Sequence, residues 1–193
     1  MNPNKGCDLS RLKQVKTTII NPVFKDTVTF LQTAASSNGR ITQLEMTLQP
    51  SGGNPLHHHY YPEKFTALDG ELGLRVGRKE RKILQPAESF YVAPGALHAF
   101  FNPTDREIRF GVEVEPASER LESFLRVMYG LASDGLTDQN SKPKSFEHAA
   151  IVLCMGDVHV PGFLAVIRPL LQFAANRAKA NGEEQRLIAK YCV

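Results

Sequence analysis

The chain has 193 residues, of which 42% are hydrophobic and 22% are charged, a composition typical of a folded globular domain. Its 23 lysine and arginine residues stand against 20 acidic residues, which gives a net charge of only +3. One basic cluster spans residues 78–82, but Glu80 interrupts it, and we predict that it lies at the tip of a hairpin. We therefore expect no nucleic-acid partner.

The three cysteines are Cys7, Cys154 and Cys192, and no pair of them has zinc-binding or redox spacing. Sparse, unpaired cysteines fit a reducing compartment. No apolar core follows the N-terminus, so no secretory signal is predicted. The most apolar C-terminal stretch, residues 149–175, is interrupted by Asp157 and Pro169 among others, whereas a membrane span needs about 20 mostly apolar residues. We expect a cytoplasmic protein with no membrane partner.

The first part of the chain consists of short β-branched and apolar runs separated by turn residues. The predicted strands cover residues 27–31, 41–48, 57–68, 72–76, 89–93, 96–102 and 108–115. Asp69-Gly70 is a tight-turn signal, and the apolar residues of 72–76 alternate with Gly73 and Arg75, as expected when one face of a sheet is buried. Many short strands of this kind predict an all-β sandwich or barrel.

A helical pattern begins after Pro116. Ser118 is predicted as the N-cap of a helix whose apolar stripe follows helical spacing. Further helices are predicted over residues 145–155, 163–180 and 183–193, with Pro169 breaking the second of them. We therefore divide the chain into a β domain, residues 1–116, and a helical extension, residues 117–193. The apolar helices must cover either the barrel or a second copy of the chain.

A cluster of potential metal ligands lies in residues 57–63 and near residue 98. His57 and His59 are two apart and project to the same face of an extended strand, and Glu63 has the same parity. His98 follows a Pro-Gly turn and supplies a fourth donor if its strand neighbours the first. Imidazoles and a carboxylate that converge in this way form a ligand shell for a divalent transition metal.

The other histidines lack such partners in the sequence. We predict that His58 faces away from the cluster and that His148 and His159 are surface or helix-packing residues. Tyr61 has inward parity, so it either reaches the metal pocket or packs at the strand bend. Phe65 is one of several aromatic residues expected in the core or pocket wall.

The histidine segment resembles the first motif of the cupin superfamily, His-x-His, three or four residues, Glu, six residues, Gly. His57, His59, Glu63 and Gly70 fill all four positions of that motif. One departure is Ser51, which stands six residues before His57, where the family has glycine.

The second cupin motif resembles the stretch that contains the remaining histidine. Gly95, His98 and Asn102 match its Gly-x-x-His-x-x-x-Asn core. The family's leading glycine is replaced by Ala87, and its proline is displaced by one position to Pro94. These changes affect turns and leave the ligand positions filled.

The resemblance implies a cupin double-stranded β-helix, that is, a jelly-roll barrel, with an added C-terminal helical segment. It implies a divalent metal (Fe, Mn, Ni or Zn) bound by His57, His59, Glu63 and His98, with Glu63 as candidate general base. It also implies a homodimer and a small-molecule substrate. Our leading hypothesis is a metalloenzyme similar to the quercetin-dioxygenase-like cupins. The alternatives are a non-catalytic metal-dependent binding or sensing protein and a barrel with a vestigial site.

Overall fold

The structure is a computed structural model that describes residues 17–192, apart from the side chains of Phe163 and Leu164. Cys7 and the N-terminal segment examined for a secretory signal lie outside these residues. The strands are β1 (Thr17–Asn21), β2 (Asp26–Gln32), β3 (Thr42–Leu48), β4 (Glu63–Asp69), β5 (Leu72–Val76), β6 (Glu80–Leu84), β7 (Ser89–Val92), β8 (His98–Phe101) and β9 (Ile108–Val114). The helices are α1 (Glu119–Ser133), α2 (Phe146–Met155), α3 (Phe163–Val166), α4 (Arg168–Ala180) and α5 (Glu183–Tyr191).

The strands form two antiparallel sheets that build a jelly-roll barrel. The larger sheet has the order β1-β2-β3-β9-β4-β7, and the smaller has the order β6-β5-β8. β9 returns from late in the chain to lie between β3 and β4, so the sheet order is not the chain order. The predicted all-β barrel with a C-terminal helical segment is confirmed.

Alternating burial fixes the register of the barrel strands. In β3 every second residue is buried, from Thr42 to Leu48, and β9 shows the same alternation against it. Each buried large aliphatic side chain contributes about 1.5–3 kcal/mol relative to exposure. A slip of one residue would turn this apolar set towards water, so the register that positions the site is strongly specified.

Two strands, β1 and β6, were not predicted from the sequence. β1 is an edge strand with partly exposed side chains, which gives a weak sequence signal. The charged cluster at residues 78–82 does begin in the turn after β5, but β6 starts at Glu80 and continues through Arg81 and Lys82. The hairpin tip is therefore confirmed. Strand β6, which follows the tip, was not predicted because its charged residues give no apolar strand pattern.

The predicted continuous strand over residues 57–68 is wrong in its first half. Regular pairing begins at Glu63, and His57 and His58 make only isolated bridges. Pro55 and Pro62 flank this segment and carry no backbone N–H, so they interrupt a regular ladder. The segment is extended and irregular, and this leaves its backbone free to pair with two different partners.

Both departures from the cupin glycine positions adopt the backbone conformation that glycine favours. Ser51 has φ of 62° and Ala87 has φ of 71°, in the left-handed region. The left-handed conformation costs a residue with a Cβ atom about 1–2 kcal/mol. The turns are therefore retained despite the substitutions, at some cost in stability.

Replacing Ala87 by glycine is expected to raise the free energy of unfolding by about 1 kcal/mol, because glycine adopts positive φ without the Cβ penalty. Urea denaturation measures the change. Ala93→Gly is the matched control: Ala93 is exposed in a loop and is not among the positive-φ residues, so its substitution should lower stability. Equal effects of the two substitutions would contradict the strain at residue 87.

Helix α1 is packed into the barrel. Ser118 caps it by accepting a hydrogen bond from the backbone N–H of Leu121, as predicted. Leu121 and Leu125 are buried in the same hydrophobic cluster as the barrel interior. Glu122 accepts hydrogen bonds from the backbone N–H of Ala34 and from the Thr42 hydroxyl, which ties the first turn of the helix to the sheet.

The remaining helices pack on α1 and on one another. Val127 and Leu131 of α1, Ile151 of α2 and Leu187 of α5 share a second buried cluster. The helix predicted over residues 163–180, which Pro169 was expected to kink or break, is interrupted just before that proline: α3 ends at Val166, and α4 begins at Arg168 with Pro169 in its first turn. Within residues 17–192 no helix combines the length and apolarity needed to cross a membrane.

Two expectations about organisation stay predictions. The division into residues 1–116 and 117–193 is one of them. The homodimer is the other; Val166, Leu170 and Phe173 leave apolar surface exposed on the helical segment.

Candidate metal centre

Three histidines converge inside the barrel. The backbones of His57 and His98 are paired by two hydrogen bonds, of 3.0 and 2.8 Å, which bring the segment before β4 against the start of β8. The ligand atoms of His57, His59 and His98 all lie within 4.8 Å of one another. His59 and His98 are buried, and His57 is half-buried. His57 and His59 lie together, as their two-residue spacing predicts.

Each imidazole is held in one orientation by a backbone carbonyl. The Nδ1 atoms of His57, His59 and His98 lie 3.0, 2.9 and 2.8 Å from the carbonyl oxygens of Pro55, Tyr61 and Ala96 respectively. A carbonyl oxygen only accepts hydrogen bonds, so each Nδ1 carries the proton and donates. In the neutral ring the lone pair is then on Nε2. This arrangement of a ligand histidine with an orienting partner is the common one at metal sites.

Glu63 adds an anionic oxygen to the cluster. Its Oε2 lies 3.0 Å from His98 Nε2 and 3.1 Å from His59 Nε2, at the start of β4. Only the contact with His98 is aligned as a hydrogen bond. That bond requires a proton on His98 Nε2 in addition to the one on Nδ1, so it belongs to the charged ring, and loss of the Nε2 proton leaves the lone pair that a metal would bind. Among the described residues, His59 Nε2 has no hydrogen-bond partner although it is buried.

The electrostatics of the cluster follow from burial and from the carboxylate. Burial and the nearby His98 lower the pKa of His57 to about 4, so this ring is neutral at pH 7. For His98, burial lowers the pKa, but the hydrogen bond and charge of Glu63 outweigh burial, and the net shift is upward. For Glu63, burial raises the pKa, but the contacts with His59 and His98 together lower it by more, so the carboxyl is ionised.

The donor atoms fit a divalent transition metal. Two atoms bound at right angles to one ion, each about 2.1 Å from it, lie about 3.0 Å apart. The distances from Glu63 Oε2 to Nε2 of His59 and His98 agree with that value. A cation would also satisfy the buried, unpartnered Nε2 of His59, which otherwise carries a desolvation cost.

Tyr61 takes the packing role that the sequence left open. Its ring stacks on His59 with centroids 3.7 Å apart and an interplanar angle of 7°. Its backbone carbonyl also accepts the Nδ1 hydrogen bond of His59. Burial raises the pKa of the Tyr61 hydroxyl, and the negative charge of Glu63 raises it further, so the phenol stays protonated. Tyr61 therefore fixes both the tilt and the tautomer of one candidate ligand.

His159 makes a contact that the sequence did not predict. His148 does pack between helices, with its Nε2 3.1 Å from Glu183 Oε1. His159, however, pairs with His58 through two backbone hydrogen bonds of 3.0 and 2.9 Å, and their rings stack at 4.7 Å. His58 faces away from the metal cluster, as predicted, and it faces the helical segment. No local sequence pattern predicts the contact between His58 and His159, because the two residues are about a hundred positions apart in the chain.

The fold and the site together define a β-barrel with an internal histidine cluster suited to metal binding. Residues 44–115 match the Cupin_2 family, whose description is a cupin domain. The match supports the cupin superfamily for this region of the chain. The region contains all four candidate ligands. A search of the curated proteins found no match.

Several solved structures are similar to part of the chain. The polyketide cyclase RemF from Streptomyces resistomycificus is 25% identical, with a TM-score of 0.42, over 47% of this chain and 64% of that one. An RmlC-like cupin from Shewanella frigidimarina NCIMB 400 is 17% identical, with a TM-score of 0.46, over 54% of this chain and 87% of that one. The DMSP lyase DddQ from Ruegeria pomeroyi DSS-3 is 20% identical, with a TM-score of 0.38, over 42% of this chain and 41% of that one.

Proposed function

We propose that the protein is a metal-dependent enzyme that acts on a small organic molecule inside the cupin barrel. His57, His59 and His98, with Glu63, would hold one divalent ion, of which Fe, Mn, Ni and Zn suit the donor set. The observation that carries this proposal is the convergence of three Nε2 atoms, each left with its lone pair by an Nδ1–H bond to a carbonyl. When bound, the ion supplies Lewis-acid chemistry or a template for two reactants.

The chain's own residues would orient and enclose the reactants. The backbone carbonyls and the Tyr61 ring keep the imidazoles fixed, so little reorganisation is needed during the reaction. Phe65 is fully buried, with its ring centroid 6.1 Å from that of His98, and Phe100 lies 6.2 Å from Phe65. This aromatic wall excludes water and favours a planar or apolar substrate over a highly charged one.

Glu63 is the proposed general base. Its Oε2 lies 3.1 and 3.0 Å from Nε2 of His59 and His98, so the carboxylate lies at the cluster, where it could accept a proton from a bound substrate. The two imidazole contacts lower the pKa of Glu63. A weaker contact to either imidazole would make the carboxylate a better base. Base catalysis therefore requires Glu63 to loosen one of its contacts as the substrate binds.

The finer proposal is oxygen chemistry similar to that of the quercetin-dioxygenase-like cupins. The buried aromatic rings beside the three histidines and one carboxylate suit a planar enolic substrate whose oxygen atoms could bind a metal ion. Oxygen consumption with flavonols, β-diketones and catechols tests this assignment, with the metal content of each preparation measured in parallel. Metal-loaded protein that consumes no oxygen with any of these compounds would overturn the dioxygenase assignment.

Replacing Glu63 by glutamine separates catalysis from metal binding. The glutamine side chain retains the shape of glutamate but accepts no proton, so turnover should fall about 10²–10⁴-fold while the three histidines retain most of the metal. The matched control is Glu113→Gln, which changes a partly exposed carboxylate on β9 that pairs with Lys64 and should leave both quantities unchanged. Turnover by the Glu63 variant equal to that of the wild type would exclude the base role.

A second candidate is a metal-dependent receptor without turnover. It is favoured by the backbone pairing of His58 with His159, which joins the metal-bearing segment to the helical segment and gives a route from site to surface. A receptor would bind a small molecule tightly in the metal-loaded state and leave it chemically unchanged. Recovery of the intact compound after prolonged incubation distinguishes the receptor from the enzyme.

A further inference from the structure

A cavity lies outside the barrel, between the metal-bearing segment and the helical segment. Its volume is about 80 Å³. Leu153, Val158 and Leu171 form apolar walls, and His58, His159 and Arg168 supply its polar groups. The cavity exists because His58 and His159 pair through their backbones and hold residues 157–161 against the segment that carries the candidate ligands.

The polar side of the cavity carries the guanidinium of Arg168, which forms an ion pair with Asp157, a residue outside the cavity lining. Arg168 is the charged residue among the described lining residues, and none of those residues carries a carboxylate. Its Nη2 donates to His159 Nε2 at 2.9 Å, which uses one of the five guanidinium donors. The nearest carboxylate contact is Asp157 Oδ1 at 3.8 Å, too long for a charge-assisted hydrogen bond, which spans about 2.7–2.9 Å.

The contacts of His159 leave Arg168 available. Asp157 Oδ1 lies 3.2 Å from His159 Nε2, the same atom that faces Arg168. One nitrogen cannot donate to Asp157 and accept from Arg168 at once, so only one of these bonds exists in a given protonation state. In both states the Asp157 carboxylate stays at ion-pair distance from Arg168, at 3.8 Å, but it forms no hydrogen bond with the guanidinium, whose remaining donors can bind an incoming carboxylate. Arg168 also opens helix α4, which has no side-chain cap and no acidic residue in its first turn.

The volume limits the size of the occupant. A cavity of about 150 Å³ accommodates benzene, and a water molecule needs about 10–15 Å³. The present cavity is about half as large, so it admits an apolar group of about three carbons, with the polar head beside Arg168 outside that volume. Apolar walls and one guanidinium match a short aliphatic chain that ends in a carboxylate.

We propose that this cavity binds a small monocarboxylate, with the carboxylate on Arg168 and the alkyl group against Leu153, Val158 and Leu171. The site contains none of the candidate metal ligands, so its test does not depend on the proposed enzymatic function. Its occupant contacts His58, which lies between two candidate metal ligands in the chain. The site thus provides a place where a small acid can act on the metal-bearing segment from outside the barrel.

Isobutyrate and isobutyramide are the test pair, because they share shape and differ in charge. Each is titrated into full-length protein freed of metal with EDTA, so that the carboxylate cannot bind an ion in the barrel. Backbone amide NMR shifts report both affinity and location. We expect saturable isobutyrate binding with shifts centred on residues 153–171, and binding of the amide at least about tenfold weaker.

Two variants and one control variant locate the site on the chain. Arg168→Met should weaken isobutyrate binding at least about tenfold by removing the charged donors. Arg177→Met removes an exposed arginine from the last turn of the same helix and should change nothing. Leu171→Phe fills the cavity and should abolish binding while retaining Arg168. If Arg168→Met misfolds, the acid–amide comparison on the wild type decides alone. Equal affinity for the two compounds, shifts confined to the barrel, or no saturable binding would each overturn the proposal.

Discussion

Replacing His59 by alanine is expected to weaken metal binding by more than about 100-fold, because loss of even an outer-shell partner typically costs about 10–100-fold. Among the candidate ligands, His59 has a buried Nε2 atom without a hydrogen-bond partner among the described residues. This atom lies 3.1 Å from Glu63 Oε2. Metal content after purification without chelators measures the loss. Added metal should raise the melting temperature of the wild type and leave that of the variant unchanged.

His58→Ala is the matched control for this experiment. His58 is the neighbouring residue of the same type, but its ring stacks on His159 and lies outside the three-histidine cluster. The variant should retain the metal of the wild type. Equal metal loss in both variants would mean that the segment as a whole, rather than the His59 imidazole, holds the ion. Full metal retention in the His59 variant would exclude His59 as a ligand.

The sequence anticipated the site because strand parity is a local property. Two histidines two positions apart project to one face of any extended segment, and this held for His57 and His59 although their segment is irregular. The approach of His98 required knowledge of which strands are neighbours, which the cupin resemblance supplied and parity did not. The four-residue ligand set remains a prediction, since it depends on an ion.

Contacts between the two parts of the chain were beyond prediction. The pairing of His58 with His159 and the hydrogen bond of Glu122 with the backbone of Ala34 join residues far apart in the chain. Neither pair has a periodicity or spacing that marks it. Such contacts depend on how the helical segment docks on the barrel, which is decided by tertiary packing. The cavity beside Arg168 follows from that docking and was equally hidden.

A buried acid at the same junction of barrel and helix gives the second large effect. Asp26 is 4% exposed at the start of β2, and its Oδ2 accepts a 2.7 Å hydrogen bond from the Tyr129 hydroxyl of α1. Its Oδ1 is buried and has no hydrogen-bond partner among the described residues. Burial raises the pKa of Asp26 to about 6, although the hydrogen bond from Tyr129 opposes the shift.

This shift predicts that Asp26 makes the protein less stable as the pH rises from about 4 to about 6. In that window the unfolded chain has already lost the proton, while the folded protein still binds it, so the free energy of unfolding falls with pH. A shift of about two pH units corresponds to about 3 kcal/mol. Urea denaturation of the wild type and of Asp26→Asn across this range should therefore give curves that diverge by about that amount.

Asp69→Asn provides the comparison, because Asp69 is exposed and its ion pair with Arg106 is solvent-screened. Its stability curve should run parallel to that of the wild type. Only the difference between variant and wild type isolates Asp26, since the carboxylates and imidazoles of the barrel titrate in every sample. Parallel curves for Asp26→Asn and the wild type would show that water reaches the carboxylate in the folded protein. In that case Tyr129 and Asp26 would not form a sealed contact between helix α1 and the barrel.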